Sequence, residues 1–261
     1  MLGKLMKYDL KKMGRILIFM YIISLFSACV TRLINIGKEI QVISIIGAVF
    51  AGITYSAIAN VLVNTFVHII TRFISNFYKD ESYLTHTLPI KKSKLILSKF
   101  LSSLIIILSS VLVCFLSLFI MFYSPDFMQG LKLILGATIA GFNIPLWVFL
   151  TIMVFLIFAQ ICAMLSMAFA SIIIANKYNH KRIIKGILWF ALFYFSAMIA
   201  VIITAVVVFA IQGNIGTLFA SQLSSNAFIS ILIIGLIVYA LYAILFYFIS
   251  LKAFNKGVNI D

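Results

Sequence analysis

The sequence predicts an all-α polytopic membrane protein, and three observations lead there. Of 261 residues, 64% are apolar, and the mean hydropathy of +1.22 lies far outside the range of a soluble domain. Charged residues make up 10% of the chain and gather in a few clusters. The apolar runs between clusters are long enough to cross a hydrocarbon core of ~30 Å as helices. A membrane β-barrel would instead show short segments of period-two alternation, and none occurs.

Six spans follow from the uncharged runs, near 16–31, 42–70, 101–123, 146–175, 187–211 and 227–251. The first is short and is expected to continue past Arg32, whose side chain can snorkel outward. The second exceeds the ~20 residues a span needs, so it tilts or projects into water. The stretch from Leu133 to Ala175 could hide a hairpin turning at "GFNIP" (Gly141–Pro145). "QGNIGTLFASQLSSN" breaks the last long run into two spans.

Positive charge decides the parity. With six spans, 17 of the 20 basic residues fall on one side, leaving Arg32, Lys38 and Lys132 on the other. A seventh span would place "NKYNHKRIIK" outside. Six spans in the cell membrane, with both termini cytoplasmic, is therefore the expectation. The net charge of +14 then orients the chain and meets anionic lipid, and no nucleic-acid partner is expected.

Residues 1–15, "MLGKLMKYDLKKMGR", place Leu2, Leu5, Met6 and Met13 on one stripe, with Lys4, Lys7, Lys11 and Arg15 largely opposite. This predicts an interfacial amphipathic helix leading into the first span. The run ending in "SAC" imitates a lipoprotein signal with Cys29 as the acylated residue. Against it stand the bulky Phe26 and the poor tether "VTRLINI", so residues 1–28 are expected to be retained.

Enzyme motifs are lacking. Cys29, Cys114 and Cys162 sit singly in three spans, and His68, His86 and His180 are dispersed, so no metal site is expected. HExxH, P-loop and GxSxG patterns are all missing. No catalytic residue and no cofactor of its own are assigned to this chain. All six acids (Asp9, Glu39, Asp80, Glu81, Asp126 and Asp261) are expected in loops or termini. This argues against proton coupling, which needs an ionisable group at membrane depth. It argues less against sodium, which backbone carbonyls can bind.

The remaining signal lies between spans two and three, in "YKDESYLTHTLPIKKSKLILSKF" (Tyr78–Phe100). Phe73, Phe77, Tyr78, Tyr83 and Leu84 alternate with charge at helical spacing. This predicts a short amphipathic cytoplasmic helix within a loop over 71–99. Pro89 stops it, and Ser93 is a candidate cap for the next helix. Here the sequence resembles permease subunits of type-2 ATP-binding-cassette (ABC) exporters, as found in bacteria. Many of these carry an acidic "YLT-TLP" stretch, a basic or polar turn, and "L-SK-L" leading into the third span. The matching features are "DESYLTHTLP", "IKKSK" and "LILSKFL".

The resemblance implies that this loop carries a coupling helix that docks on a separate ATPase. By resemblance the contact residues are Phe77, Tyr78, Asp80, Glu81, Tyr83 and Leu84, with a lesser contact at Asn176–Lys185. It implies a pair of ATPase subunits that bind ATP and magnesium, and a second permease copy or a related permease. ATP-driven closure would then rock the spans and move a substrate across the cytoplasmic membrane. The competing expectation is an ATPase-independent membrane protein, either a sodium-driven secondary carrier or a non-transporting scaffold.

Span two adds one internal hint. Ser56, Asn60, Asn64 and His68 follow at steps of four, a polar stripe that either lines a translocation path or packs helices through hydrogen bonds. Within "GAVFAG", the pairs Gly47/Ala51 and Ala48/Gly52 predict close helix packing.

Overall fold

The computed structural model describes residues 2–37, 41–79, 82, 87, 91–124, 127–130, 133, 136, 145–178, 181–212, 216 and 225–255. Six long helices account for nearly all of them: α1 (Leu2–Ile36), α2 (Gln41–Tyr78), α3 (Lys92–Phe122), α4 (Leu146–Ala175), α5 (Arg182–Ile211) and α6 (Ser225–Asn255). Each is long and apolar enough to cross a membrane, and no strand occurs among the described residues. The chain is an all-helical, multi-pass membrane protein. It divides into two compact units, residues 1–130 and 131–261.

In the first unit α1 packs along both α2 and α3. No break separates an interfacial segment from the first span, since α1 runs unbroken for 35 residues. The basic residues Lys4, Lys7, Lys11 and Arg15 are exposed as the amphipathic pattern requires, while Met13 and Leu17 are buried. Helix α2 runs for 38 residues, about 57 Å at the helical rise, and so exceeds a bilayer's hydrocarbon thickness. Its extension past residue 70 corrects the expected separate helix: Phe73, Phe77 and Tyr78 are the last turns of α2. Ser93 lies inside α3, whose N-cap is Lys91 with no side-chain cap.

Polar side chains hold this unit together. Thr31 meets Thr54 at 2.8 Å and Ser24 meets Ser117 at 2.9 Å. Ser110 of α3 meets Tyr21 of α1 at 2.6 Å and Thr65 of α2 at 2.7 Å, so one hydroxyl joins three helices. Small side chains suit this role in hydrocarbon, where close approach and interhelical hydrogen bonds replace the hydrophobic driving force. Gly47 is one such contact, because a Cβ there would lie 3.0 Å from Asn35 Oδ1. Gly52 is not, since open space faces it; of the two small-residue pairs only the Gly47 side packs closely.

Arg32 corrects another expectation. Rather than snorkelling away, it donates to the carbonyls of Ile120 and Tyr123 at the end of α3. Its guanidinium also lies 4.8 Å from the Tyr123 ring centroid. The last carbonyls of a helix have no intrahelical donors and carry the negative end of its dipole, so a cation is well placed there.

The second unit is built differently. Helix α4 packs most extensively along α6, with α5 against both. Its start agrees with the sequence reading: Pro145 stands extended as the N-cap and the helix spans Leu146–Ala175. Residues 141–144 of the candidate hairpin turn lie outside the described residues. The core joins Ala163, Met167 and Ala170 of α4 to Phe193 and Ala197 of α5 and Phe246 of α6. Phe193 and Phe246 pack with their rings tilted at 48° and centroids 4.5 Å apart, and Tyr242 donates to the Ser196 carbonyl at 3.1 Å. Buried Ser166, Ser171 and Ser250 bond back to their own helices. Aromatic packing and small residues therefore replace the hydroxyl links of the first unit.

Ser110→Ala should lower the unfolding free energy by about 1–2 kcal/mol in a mild-detergent denaturation series, more than Ser109→Ala, because two interhelical contacts are lost.

Candidate functional site

The expected coupling residues divide into two groups. Asp80, Glu81, Tyr83 and Leu84 lie outside the described residues. Phe77 and Tyr78 are described, and they are not exposed: Phe77 is 0% and Tyr78 7% exposed. Phe77 packs edge-on against Phe73 at 4.9 Å between centroids, and Phe73 is buried as well. The expectation that Phe77 and Tyr78 present a docking surface is therefore corrected. Their spacing continues the packed stripe Val61, Thr65, Ile69 and Phe73 of α2, so they obey core periodicity. Within the stretch, Ser82 is buried with no hydrogen-bond partner for its hydroxyl among the described residues, and its N–H donates to the Lys79 carbonyl at 2.7 Å.

The expected lesser contact, Asn176–Lys185, is a built turn between α4 and α5. The Asn176 side chain donates to the Ile172 carbonyl at 2.8 Å, closing the end of α4. Lys181 adopts a left-handed backbone (φ 55°), which reverses the chain into α5. Arg182 donates to the Tyr178 carbonyl at 3.2 Å, and the Lys185 ammonium sits 4.1 Å from the Tyr178 ring centroid. Lys177, Tyr178 and Lys181 are exposed.

The polar stripe of α2 grades from exposed to half-buried. Ser56 and Asn60 are exposed, and Asn64 and His68 half-buried. Asn64 donates to the Asn60 carbonyl within the same helix at 2.9 Å. Among the described residues none of these four side chains bonds to another helix. A step of four advances ~40° around the axis, so the stripe drifts from the uncovered face towards the packed one, which accounts for the exposure gradient. Ser56 and Asn60 border an open groove of about 710 Å³ between α1 and α2, together with Met20, Ile23, Gly52 and Ile53. A side-chain amide transferred to hydrocarbon without a partner costs about 2 kcal/mol or more. The middle of α2 thus presents polar groups that lipid tails cannot satisfy.

One charged cluster was missed by sequence reasoning. Asp9, expected in a terminal segment, lies within α1 and is 2% exposed. Lys99 Nζ of α3 lies 2.6 Å from both its oxygens. Arg72 Nε and Asn76 Nδ2 of α2 lie 3.3 and 3.5 Å from Oδ1. Breaking such a buried pair by removing one member costs about 3–5 kcal/mol. The signal was present: Asp9 stands three residues after Met6 and four before Met13, on their stripe.

Comparison with known proteins returns no match: no protein-family profile, no curated protein and no solved structure resembles the chain at a significant level. The resemblance to exporter permeases rests on the quoted residues alone.

A cysteine at Asn60 should react with a charged, water-soluble thiol reagent in reconstituted protein, whereas one at Leu62, an exposed apolar position at the same depth but outside the groove, should stay unmodified. Equal protection of both positions would mean that the strip meets no water.

Proposed function

We propose that the chain is the membrane-spanning permease subunit of an exporter driven by a separate ABC ATPase. The observation that carries this reading is the uncovered polar strip at the middle of α2, where Ser56 and Asn60 border the groove beside α1. A span that served only as scaffold would have no reason to keep an amide and a hydroxyl facing outward among apolar neighbours. On this reading Ser56, Asn60, Asn64 and His68 line the translocation path, shared with a second copy of the chain or a related permease.

The energy source is assigned from the resemblance of residues 78–100 to the coupling region of exporter permeases. Because Phe77 and Tyr78 belong to the core of the first unit, the docking role narrows to Asp80, Glu81, Tyr83 and Leu84. Their acids and aromatic suit a partner with basic and apolar contacts. The stretch Asn176–Lys185 supplies a second, smaller contact. ATP and magnesium belong to the partner, and this chain carries no catalytic group of its own. The alternative is an ATPase-independent carrier or scaffold, which would leave the acidic stretch without a docking role.

The charge asymmetry supports an orientation in the cytoplasmic membrane with both termini inside. Cysteines at Asp126 and Ser221 should label with an impermeant reagent in intact cells, and one at Lys177 should not. Lys177 is exposed and lies just beyond the end of α4. Labelling at Lys177 would overturn the orientation.

Docking is tested by combining Glu81→Lys with Tyr83→Ala. A central interface aromatic contributes about 2 kcal/mol or more, so ATPase co-purification should fall at least about tenfold while expression and helix content persist. Phe77→Ala should instead destabilise the chain itself, by about 3–5 kcal/mol, as a core truncation does. A double variant that keeps its ATPase and still transports would remove the coupling role from this stretch. A native-membrane preparation containing no ATPase would favour the alternative.

A further inference from the structure

We infer that Asp9 is a positioning residue: it holds the closing turns of α2 and the opening turns of α3 in register against α1. A displacement imposed at those two helix ends then reaches α1 through the Asp9 carboxylate.

Four side chains from three helices converge on this point. Asp9, Asn76 and Lys99 are at most 9% exposed. Both Asp9 oxygens are engaged by the same ammonium at 2.6 Å, which fixes the carboxylate's orientation as well as its position. Arg72 and Asn76 reach the same Oδ1 from one face of α2, one turn apart. Asn76 stands two residues before the end of α2 at Tyr78, and Lys99 lies two turns inside α3, which begins at Lys92. The carboxylate therefore sits beneath the exit of one helix and the entrance of the next. A charge pair withdrawn from water has a narrow favourable geometry and a steep cost for leaving it. Helices joined in this way move together or not at all.

The deduction rests on the proposed function only for the origin of the displacement, namely a partner ATPase engaging Asp80, Glu81, Tyr83 and Leu84. The positioning itself is testable without a partner. In the full-length chain, with Cys29, Cys114 and Cys162 replaced by serine or alanine, spin labels go on Lys11→Cys and Lys91→Cys, both exposed positions. The protein is reconstituted in nanodiscs of phosphatidylcholine and phosphatidylglycerol, and the label-to-label distance distribution is measured. The unsubstituted clamp should give one narrow distance.

Asp9→Asn alone strands a buried cation and risks misfolding, so the decisive variant is Asp9→Asn with Lys99→Met, which removes both charges of the short pair. Its narrow distance should be lost while helix content is retained. Arg72→Gln, which leaves the Lys99 pair in place, should broaden the distribution only in part. Leu17→Ala serves as the structural control, since it opens a cavity in α1 without touching the clamp. A narrow distance in the double variant would overturn the inference, and so would equal broadening in Leu17→Ala. Adding the ATPase with ATP and vanadate separates the two ideas. If clamp loss broadens the distribution but the trapped ATPase shifts nothing, Asp9 keeps its positioning role and the ATPase reading falls.

Discussion

A carboxylate withdrawn from water sets the terms for the first unit. Asp9 is 2% exposed, and an ion in that condition persists only where opposite charge and hydrogen-bond donors meet it directly. Lys99 and Arg72 supply the charge and Asn76 a further donor, so α1, α2 and α3 must converge at one place. Arg32 does comparable work further along α1 by closing the end of α3. From Asp9 to Arg32 is roughly 34 Å along the helix axis, close to the hydrocarbon thickness of ~30 Å. The charged contacts therefore bracket a membrane-length interval, and within it most polar links between helices are hydroxyls.

Those hydroxyls follow a rule. Ser103, Ser110 and Ser117 recur at steps of seven along α3 and all are buried, as do Ser24 and Thr31 along α1. Seven residues is two helical turns, so each series forms a seam facing a neighbour. The second unit solves the same problem by shape, with alanines admitting Phe193 and Phe246 between its helices. A hydroxyl seam stores specificity in direction and distance; an aromatic cluster stores it in volume. The first is sensitive to single-atom substitutions, the second to changes in size.

Much of this architecture was legible in the sequence, because hydropathy reports directly on what can cross a bilayer. Helix α4 covers Leu146–Ala175, the stretch that the uncharged run marks out. Helix ends were less legible. Charge was taken to mark the end of a span, yet α1, α2 and α3 each carry charged residues well inside the helix. Phe77 and Tyr78 were misread for a related reason: beside acids, an aromatic suggests a surface, whereas its spacing from Ile69 and Phe73 marks the core. Asp9 was assigned by its position near the terminus rather than by its place on the Met6–Met13 stripe. In each case local charge was weighed above helical periodicity, and periodicity decided burial.

The polar strip of α2 stands outside this pattern, and its chemistry bears on function. Ser24, Thr31, Thr65 and Ser110 of the first unit find partners in neighbouring helices, as hydrocarbon favours. Ser56 and Asn60 lie at the same depth without such partners and with exposed side chains. The packed face of α2 shows that this helix accommodates threonine where a bond is available, at Thr54 and Thr65. Exposure of the strip is therefore a property of its face. Gly52, with open space before it, leaves the groove unfilled beside the two polar residues. Lipid tails offer neither donor nor acceptor, so what meets this surface must bring hydrogen-bonding groups: water, a second protein surface or a polar substrate. On the proposed reading a translocation path joins all three, since it is wet, bounded by protein and crossed by the cargo.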